Sequence, residues 1–410
     1  MSKTEFYEIA VEQGFYGLEK SGLFGKKDNV RKYWEDIFIK LSVRQAVENL
    51  LNHKEKIRIV DLGCGSGEGY KLLTHIPSSS PISTVEKEFV LSADRIECYT
   101  GLDISPAMIQ QGRFNYKNRN NVKFIQADLS EDFPLVNEPA YDIYFSSYCS
   151  LSHLTYNELK KLFTNICSHI DDTAVMVFDV FGRYSPEWPI YWDKDCYSPL
   201  PYNMAYLLPP EEQIPDRVEW FEVTYWNTDE LVNLIVNSAV EAGRKAQIEW
   251  IKDRSIFVGR HMDNNFFKAK RHKIRSQVNR LFDRDYRGNM AELHLDLSYL
   301  EEKRESYPAV WERISTYAKV WKTVINLIEA LINLDNKEVK RIIESSSSEL
   351  SEELKMLAWI YRNAERFPVL DFWASVIGPQ VACVLRNLEL SFSTGLGCGH
   401  SISCLVRITK

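Results

Sequence analysis

The segment Ile57-Arg58-Ile59-Val60-Asp61-Leu62-Gly63-Cys64-Gly65-Ser66-Gly67 decides the fold of this chain. Its short apolar and β-branched run is typical of a buried parallel strand. The three glycines that follow allow a tight turn and a close approach of a ligand to the backbone, because no Cβ stands in the way. A helix is predicted from about Glu68 to His75. Strand, glycine loop and helix together predict the first unit of a doubly wound α/β sheet, whose ligand crevice lies at the carboxyl ends of the strands.

The spacing of the glycines distinguishes this loop from a dinucleotide site. Gly63, Gly65 and Gly67 follow the pattern Gly-x-Gly-x-Gly instead of Gly-x-Gly-x-x-Gly, and Asp61 stands two residues before the first of them. A pyrophosphate needs a helix N-terminus aimed at it, whereas an acid at the end of a strand suits a cofactor with a cationic amino-acid tail. The segment resembles the first motif of class I methyltransferases, which use S-adenosylmethionine (SAM).

Three later segments continue this resemblance in the same order. Residues 99–105 predict a strand that ends at Asp103, whose carboxylate can accept the hydroxyls of a ribose. Residues 122–129 predict a third strand that ends at Asp128, where the family contacts the adenine amino group, and residues 141–148 predict a fourth. The resemblance implies a SAM site formed by Tyr16, Asp61, Gly63, Cys64, Gly65, Asp103, Ile104, Met108, Asp128, Leu129 and Ser146.

Length and composition agree with a soluble, intracellular enzyme of more than one domain. The length of 410 residues exceeds what one hydrophobic core usually organises, and 45% of the residues are hydrophobic. A formal net charge of -7 argues against general nucleic-acid binding. The sequence has neither a signal-peptide pattern nor an apolar run of membrane-spanning length, so we expect a cytoplasmic protein without a membrane partner.

The eight cysteines stand singly, without the paired spacing of a zinc site or a disulfide framework. Cys398, His400 and Cys404 could ligate a metal ion. Three such residues without further support more often pack in a core, so no metal is expected.

The predicted fold is a class I methyltransferase sheet with an aromatic-rich insertion and a C-terminal, mainly helical domain. Residues 1–52 predict an N-terminal helical cap. Residues 53–262 predict the methyltransferase domain, closed by an antiparallel hairpin of residues 247–252 and 255–261. Residues 263–410 predict a helical appendage that ends in a second hairpin, and this appendage is the candidate surface for a homodimer.

Two regions are expected to surround the substrate. In the helical cap, Tyr7, Phe15 and Tyr16 either help to close the site over SAM or pack on the sheet. Residues 181–226, here called the aromatic lobe, have about twice the aromatic density of the whole chain, and seven prolines prevent a long helix. The rings could bind an organic cation, stack on an aromatic substrate or form a local core, and the acids of the lobe favour the cation.

Residues that act on the methyl acceptor must lie at the carboxyl ends of the fourth and fifth strands, the latter predicted at residues 174–181. The candidates by position are Tyr148, His153, Asp179, Arg183 and Tyr184. His153 is the first candidate for a general base, because the pKa of histidine lies near the working pH. Arg183 could hold a substrate carboxylate or phosphate with two nitrogens. The sequence has no Asn-Pro-Pro-Tyr-like tetrad, which disfavours DNA bases and protein amides as substrates.

The resemblance implies transfer of the methyl group of SAM to nitrogen, oxygen or activated carbon of a small molecule of specialised or amino-acid metabolism. Two alternatives stay open. A tRNA or protein methyltransferase would use the helical appendage for recognition, and would need a continuous basic surface that includes residues 268–287. A non-catalytic scaffold would keep the fold for dimerisation. Asp283 and Asp285 interrupt the basic residues, which favours a solvated helix face or a contact to an anionic substrate over RNA binding.

Overall fold

A computed structural model describes residues 8, 11–12, 28–78, 89–208, 211–268, 272–285, 288–392 and 394–410. The helices are α1 (Asp36–His53), α2 (Glu68–Thr74), α3 (Pro106–Asn115), α4 (Tyr156–His169), α5 (Thr228–Glu241), α6 (Ile274–Arg280), α7 (Pro308–Ile332), α8 (Asn336–Glu344), α9 (Ser348–Arg362) and α10 (Gly378–Ser391). The strands are β1 (Ile57–Leu62), β2 (Ile96–Asp103), β3 (Val122–Gln126), β4 (Ile143–Phe145), β5 (Thr173–Gly182), β6 (Leu200–Asn203), β7 (Trp220–Val223), β8 (Tyr225–Trp226), β9 (Lys245–Arg254) and β10 (Ser401–Thr409). The predicted roles of Tyr7, Phe15 and Tyr16 concern residues outside the described ranges.

The described strands other than β6 and β7 form one eight-stranded sheet in the order β3-β2-β1-β4-β5-β10-β9, with β8 beside the end of β5. Strands β1 to β5 run parallel, which confirms the predicted doubly wound α/β fold. The strand order reverses between β1 and β4. A ligand crevice therefore opens at the carboxyl ends of these two strands.

Strand β1 is buried on both faces, as its apolar sequence predicts. Val60 and Leu62 belong to one apolar layer, and Ile57 and Ile59 belong to the layer on the other side of the sheet. A strand that is covered on both faces reads as a nearly continuous apolar run. The carboxyl end of β1, where Asp61 lies, is therefore held rigidly under the glycine loop.

The far side of the sheet differs from the prediction. Strand β9 is present, but residues 255–261 form no strand, and the antiparallel neighbour of β9 is β10 from the end of the chain. Strand β10 also pairs with β5, so it occupies a central position. The reason is that β10 places four fully buried apolar residues, Ile402, Cys404, Val406 and Ile408, on one face, whereas residues 255–261 include Arg260 and His261, which make buried polar contacts.

Two expectations change as a result. The sheet is not complete at residue 262, because the helical region is inserted between the neighbouring strands β9 and β10. The second predicted hairpin is replaced by the single strand β10.

The helical region shares a core with the segment that precedes α1. Trp34, Phe257, Tyr317 and Trp321 belong to the same buried cluster. Glu389 on α10 accepts hydrogen bonds from Trp34 Nε1 (2.9 Å) and from the backbone nitrogens of Ser255 (2.8 Å) and Ile256 (2.9 Å). The helical region therefore fixes the segments on either side of the crevice. No helix within the described ranges is long and apolar enough to cross a membrane.

Within the aromatic lobe, β6 and β7 pair as a small antiparallel sheet. Trp188, Tyr202, Phe221 and Tyr225 form a buried cluster with Phe181 at the end of β5. Many rings of the lobe therefore build a local core, which was one of the alternatives considered from the sequence.

Candidate active site

The glycine loop after β1 adopts backbone conformations that favour glycine. Gly63, Gly65 and Gly67 have φ values of +71°, +52° and +94°, a region that side chains with a Cβ rarely enter. The backbone nitrogens of Gly63 and Cys64 both donate to the carbonyl oxygen of Leu102, at 2.8 and 2.9 Å. The loop is thus fixed to the end of β2.

Asp103 at the end of β2 fixes both the glycine loop and the start of α3. Its Oδ2 accepts a hydrogen bond from the Gly65 nitrogen (2.8 Å), and its Oδ1 accepts one from the Ser105 nitrogen (2.9 Å). Burial raises the pKa of the Asp103 carboxyl. Ser105 caps α3 by accepting from the Met108 nitrogen at 3.3 Å. The Met108 sulfur would stand 3.9 Å from a Cβ placed on Gly65, so Met108 borders the same crevice.

Asp61 provides a test of whether the site fits SAM. Its Oδ2 accepts a hydrogen bond from the Tyr99 hydroxyl, whereas its buried Oδ1 has no hydrogen-bond partner within the described part of the chain. Burial raises the pKa of this carboxyl to about 7, and the nearby acids Asp103 and Glu68 add to the rise. A cationic ammonium group at Oδ1 would supply the missing donor and lower the pKa again. The residues therefore fit the cationic amino-acid tail of SAM.

This carboxyl predicts a pH dependence of stability. The pKa of Asp61 is raised from its ordinary value of 3.8 to about 7 in the folded protein, so its contribution to stability is present at low pH and is lost as the pH rises between these values. The lowered pKa of the buried His153 acts in the opposite direction, so the contribution of Asp61 is isolated by comparing a variant with the wild type. In urea titrations of the cofactor-free protein, the change in free energy of unfolding from about pH 5 to about pH 8 should be more positive for Asp61→Asn than for the wild type, while Asp172→Asn at an exposed site should match the wild type. An unchanged difference in Asp61→Asn would contradict the assignment.

The remaining predicted cofactor residues shape the crevice around this centre. Asp128 Oδ1 accepts hydrogen bonds from the nitrogen (2.9 Å) and the hydroxyl (2.6 Å) of Ser130. Ser146 Oγ donates to the Leu62 carbonyl at 2.7 Å and so joins β4 to β1. Leu129 is buried in the core. Two further predicted cofactor residues are Cys64, which is buried, and Ile104, which is partly exposed. Their contacts with SAM stay predictions, and Tyr16 lies outside the described residues.

The ends of β4 and β5 meet beside the glycine loop. Ser150 Oγ donates to the Gly63 carbonyl at 3.0 Å, which places the turn after β4 against the loop. Tyr148 and Cys149 in this turn have φ values of +60° and +62°. The Cys149 nitrogen donates to Asp179 Oδ1 at 2.7 Å. The structure thus brings together two of the predicted catalytic residues, Tyr148 and Asp179.

Three arginines surround the ring of Tyr148, and sequence analysis did not find them. The guanidinium carbons of Arg31, Arg254 and Arg260 lie 3.5, 5.3 and 5.6 Å from the ring centroid. The Tyr148 hydroxyl donates to Asp36 Oδ1. The three arginines, here called the arginine cluster, come from distant parts of the chain, so no local motif could have revealed them.

Each arginine of the cluster has an acidic partner. Arg31 pairs with Glu68 at the start of α2, and Arg254 pairs with Asp179. Arg260 pairs with Glu35 at 3.3 Å and donates to the Tyr206 hydroxyl at 3.0 Å. The first of these pairs connects the arginine cluster to the helix that follows the glycine loop.

The other predicted catalytic residues have different surroundings. Arg183 forms a two-pronged ion pair with Glu230 and donates to the Tyr225 carbonyl at 3.1 Å. Tyr184 packs against the rings of Trp192 and Tyr307.

His153 stacks on Phe221 with ring centroids 5.3 Å apart. Burial lowers the pKa of His153 to about 4, so its imidazole is neutral near pH 7. Arg183 is engaged by Glu230, and a base with the pKa of His153 is weak, so their catalytic roles stay predictions without geometric support.

Within the described ranges, no group of three or more histidine, cysteine, aspartate or glutamate residues is placed to hold a metal ion. His400, one of the residues considered for such a site, has its Nδ1 2.7 Å from Oε2 of the buried Glu187. Cys398 and Cys404 are buried thiols in the core.

Residues 89–172 match a family model described as a methyltransferase domain. This segment contains β2, β3 and β4 together with Asp103 and Asp128, the acids at the crevice. The chain carries a class I, SAM-dependent methyltransferase domain. The glycine loop precedes the matched segment and belongs to the same parallel sheet. No curated protein matches the chain.

Solved structures of methyltransferases share part of this architecture. A SAM-dependent methyltransferase from Clostridium acetobutylicum is 12% identical, and the match covers 54% of this chain and 83% of that one, with a TM-score of 0.35. A Haloferax volcanii complex between the Trm112 methyltransferase activator and a putative methyltransferase is 15% identical. That match covers 62% of this chain and 82% of the other, with a TM-score of 0.36.

CalS10, an amino pentose methyltransferase from Micromonospora echinaspora, is 14% identical. The match covers 60% of this chain and 92% of CalS10, with a TM-score of 0.33. These TM-scores are too low to support any argument about the substrate of this methyltransferase.

Proposed function

We propose that this methyltransferase transfers the methyl group of SAM to a nitrogen, oxygen or activated carbon atom of a small molecule of specialised or amino-acid metabolism. The observation that supports a small acceptor is the enclosure of the ends of β4 and β5. Cys149, Asp179 and Arg254 are each no more than 2% exposed. The half-buried Tyr148 precedes Cys149 in the turn that Ser150 joins to the glycine loop. A small molecule fits such an enclosed acceptor site better than an RNA or protein chain, which needs an open surface.

Two of the basic residues between positions 268 and 287 do not contribute to the continuous surface that a tRNA or protein substrate would need. Lys268 is buried, and its amine donates to the carbonyls of His261 (2.5 Å) and Asn264 (2.8 Å). Arg275 is buried between Asp28 and Glu35. Both cations are therefore part of the protein interior, which supports the small-molecule proposal over the macromolecular alternative.

The protein contributes to methyl transfer mainly by aligning the acceptor atom with the methyl group of SAM. SAM, when bound, supplies a methyl group that its sulfonium charge already activates. Orientation alone can lower a barrier by about 7–11 kcal/mol. Burial and the Asp36 carboxylate raise the pKa of the Tyr148 hydroxyl, so it remains protonated and hydrogen-bonded. Tyr148 therefore acts as a fixed wall that positions the acceptor, with the arginine cluster around its ring.

The proposal is tested by following a radiolabelled methyl group. The full chain is incubated with labelled SAM and, separately, with low-mass cell extract, bulk tRNA and a protein fraction. We expect label in a product of low mass, and no label with Asp103→Ala. Label in tRNA or protein, with none in the low-mass fraction, would contradict the proposal.

A further inference from the structure

Three hydrogen-bond donors are buried without a partner where the aromatic lobe meets the sheet. They are Arg254 Nη1, the Tyr202 hydroxyl and the Tyr225 hydroxyl, and none has a partner in the part of the chain that the structure describes. The three residues are 1%, 2% and 0% exposed. An unsatisfied buried polar group costs about 1–3 kcal/mol, and such groups in a native protein need an explanation. A bound ligand would provide one.

The three donors belong to one region beside the acceptor site. The rings of Tyr202 and Tyr225 both pack on Phe181 at the end of β5, with centroid distances of 4.5 and 5.7 Å. Cys149 is near enough to both Tyr225 and Arg254 to interact electrostatically with them. Since Cys149 follows Tyr148 in the turn against the glycine loop, the region borders the crevice.

The donors of this region suit an anion, because one of them belongs to the cationic guanidinium of Arg254. Tyr202 interacts electrostatically with a second arginine, Arg260, and with Tyr225. Arg260 shares the carboxylate of Glu35 with Arg275, which also pairs with Asp28. Burial raises the pKa of both the Tyr202 and Tyr225 hydroxyls, so both remain protonated and able to donate.

The acids of the aromatic lobe do not offset this preference. Glu187 is buried and engaged by His400 and by the His261 nitrogen. The others lie on the surface of the lobe and are Asp193, Asp195, Glu211, Glu212 and Glu222. The composition of the lobe suggested an organic cation, but its other acids lie on the surface, and Glu187, which interacts electrostatically with Tyr202 and Tyr225, is already engaged by hydrogen bonds.

We propose that the substrate is a small acid whose carboxylate or phosphate oxygens accept hydrogen bonds from Arg254, Tyr202 and Tyr225. The three donors match a group that offers only lone pairs. An ammonium group would place a cation against the guanidinium of Arg254, which can only donate. This proposal rests on the proposed function and names the chemical class of its substrate.

Tyr202→Phe and Tyr225→Phe test the proposal because each removes a single hydroxyl and keeps the ring. Without substrate, neither variant should have a lower melting temperature, since the hydroxyl that it removes has no partner among the residues that the structure describes. Each should weaken binding of the acid by about tenfold. Tyr317→Phe is the matched control, because the Tyr317 hydroxyl donates to the Leu385 carbonyl at 2.9 Å in the helical region. This control should lower the melting temperature and leave acid binding unchanged.

Binding is measured by thermal shift on the full chain in the presence of S-adenosylhomocysteine, with benzoate, inorganic phosphate and phenethylamine as probes. We expect benzoate or phosphate to raise the melting temperature, and the more effective of the two identifies the anionic group. Phenethylamine should not raise the melting temperature. In both tyrosine variants, most of the rise caused by the anion should be lost. Stabilisation by the amine alone, by no probe, or to the same extent in both variants as in the wild type would overturn the proposal.

The outcome is separable from that of the proposed function. Label in a low-mass product without an acidic group would overturn the anion site and leave small-molecule methylation intact. Label in tRNA or protein alone would overturn the proposed function itself.

Discussion

Asp103→Ala is expected to weaken SAM binding by at least about 100-fold. The carboxylate of Asp103 accepts hydrogen bonds from the nitrogens of Gly65 and Ser105, and hydrogen bonds to a charged group contribute about 1.5–3 kcal/mol each. The variant therefore releases both the glycine loop and the start of α3. It also removes the acceptor that we expect to contact the ribose hydroxyls. Calorimetric titration with SAM measures the loss.

Two controls isolate the role of the carboxylate. Asp103→Asn keeps the shape of the side chain and one acceptor oxygen, so its affinity should lie between those of the wild type and Asp103→Ala. Asp172→Ala removes an exposed acid that pairs with Lys410 and should leave SAM affinity unchanged. Binding by Asp103→Ala within a factor of about three of the wild type would show that neither contact matters.

A chain that ends before β10 is expected not to fold. Strand β10 pairs with both β5 and β9, and its residues Ile402, Cys404, Val406 and Ile408 are fully buried. Without it, two strands lose a neighbour and the core is open to water. We expect a chain of residues 1–400 to lack near-ultraviolet circular dichroism and a cooperative melting transition. Native-like spectra from this truncated chain would show that β10 is dispensable.

A pair of point variants tests the same claim without truncation. Ile408→Asp places a charge in the core between β5 and β9 and should cost about 4 kcal/mol or more. Thr409→Asp is its matched control, because the neighbouring side chain is partly exposed and should cost less than about 1 kcal/mol. Equal losses in the two variants would contradict the central position of β10.

The cofactor side of the fold could be predicted because its signals are local. The positive φ angles of Gly63, Gly65 and Gly67 require glycine at those positions. Asp103 stands at the end of its own strand. Each feature is encoded within a few residues, so a single sequence reveals it.

The far side of the sheet and the acceptor site depend on contacts between distant residues. Residues 255–261 and 401–409 are both suited to a strand, and only the complete core decides which one lies beside β9. Arg31, Arg254 and Arg260 meet around Tyr148, although more than 200 positions separate the first from the others. Arg183 was predicted at the correct end of β5, but its partner Glu230 could not be identified from the sequence.

Calorimetric titration of the full wild-type chain with SAM tests the central claim most directly. Asp61 Oδ1 has no hydrogen-bond partner among the described residues, and Asp103 fixes the glycine loop through the Gly65 nitrogen. These features predict one binding site per chain, with measurable heat and a rise in melting temperature as SAM is added. The absence of both the heat and the stabilisation would contradict the account.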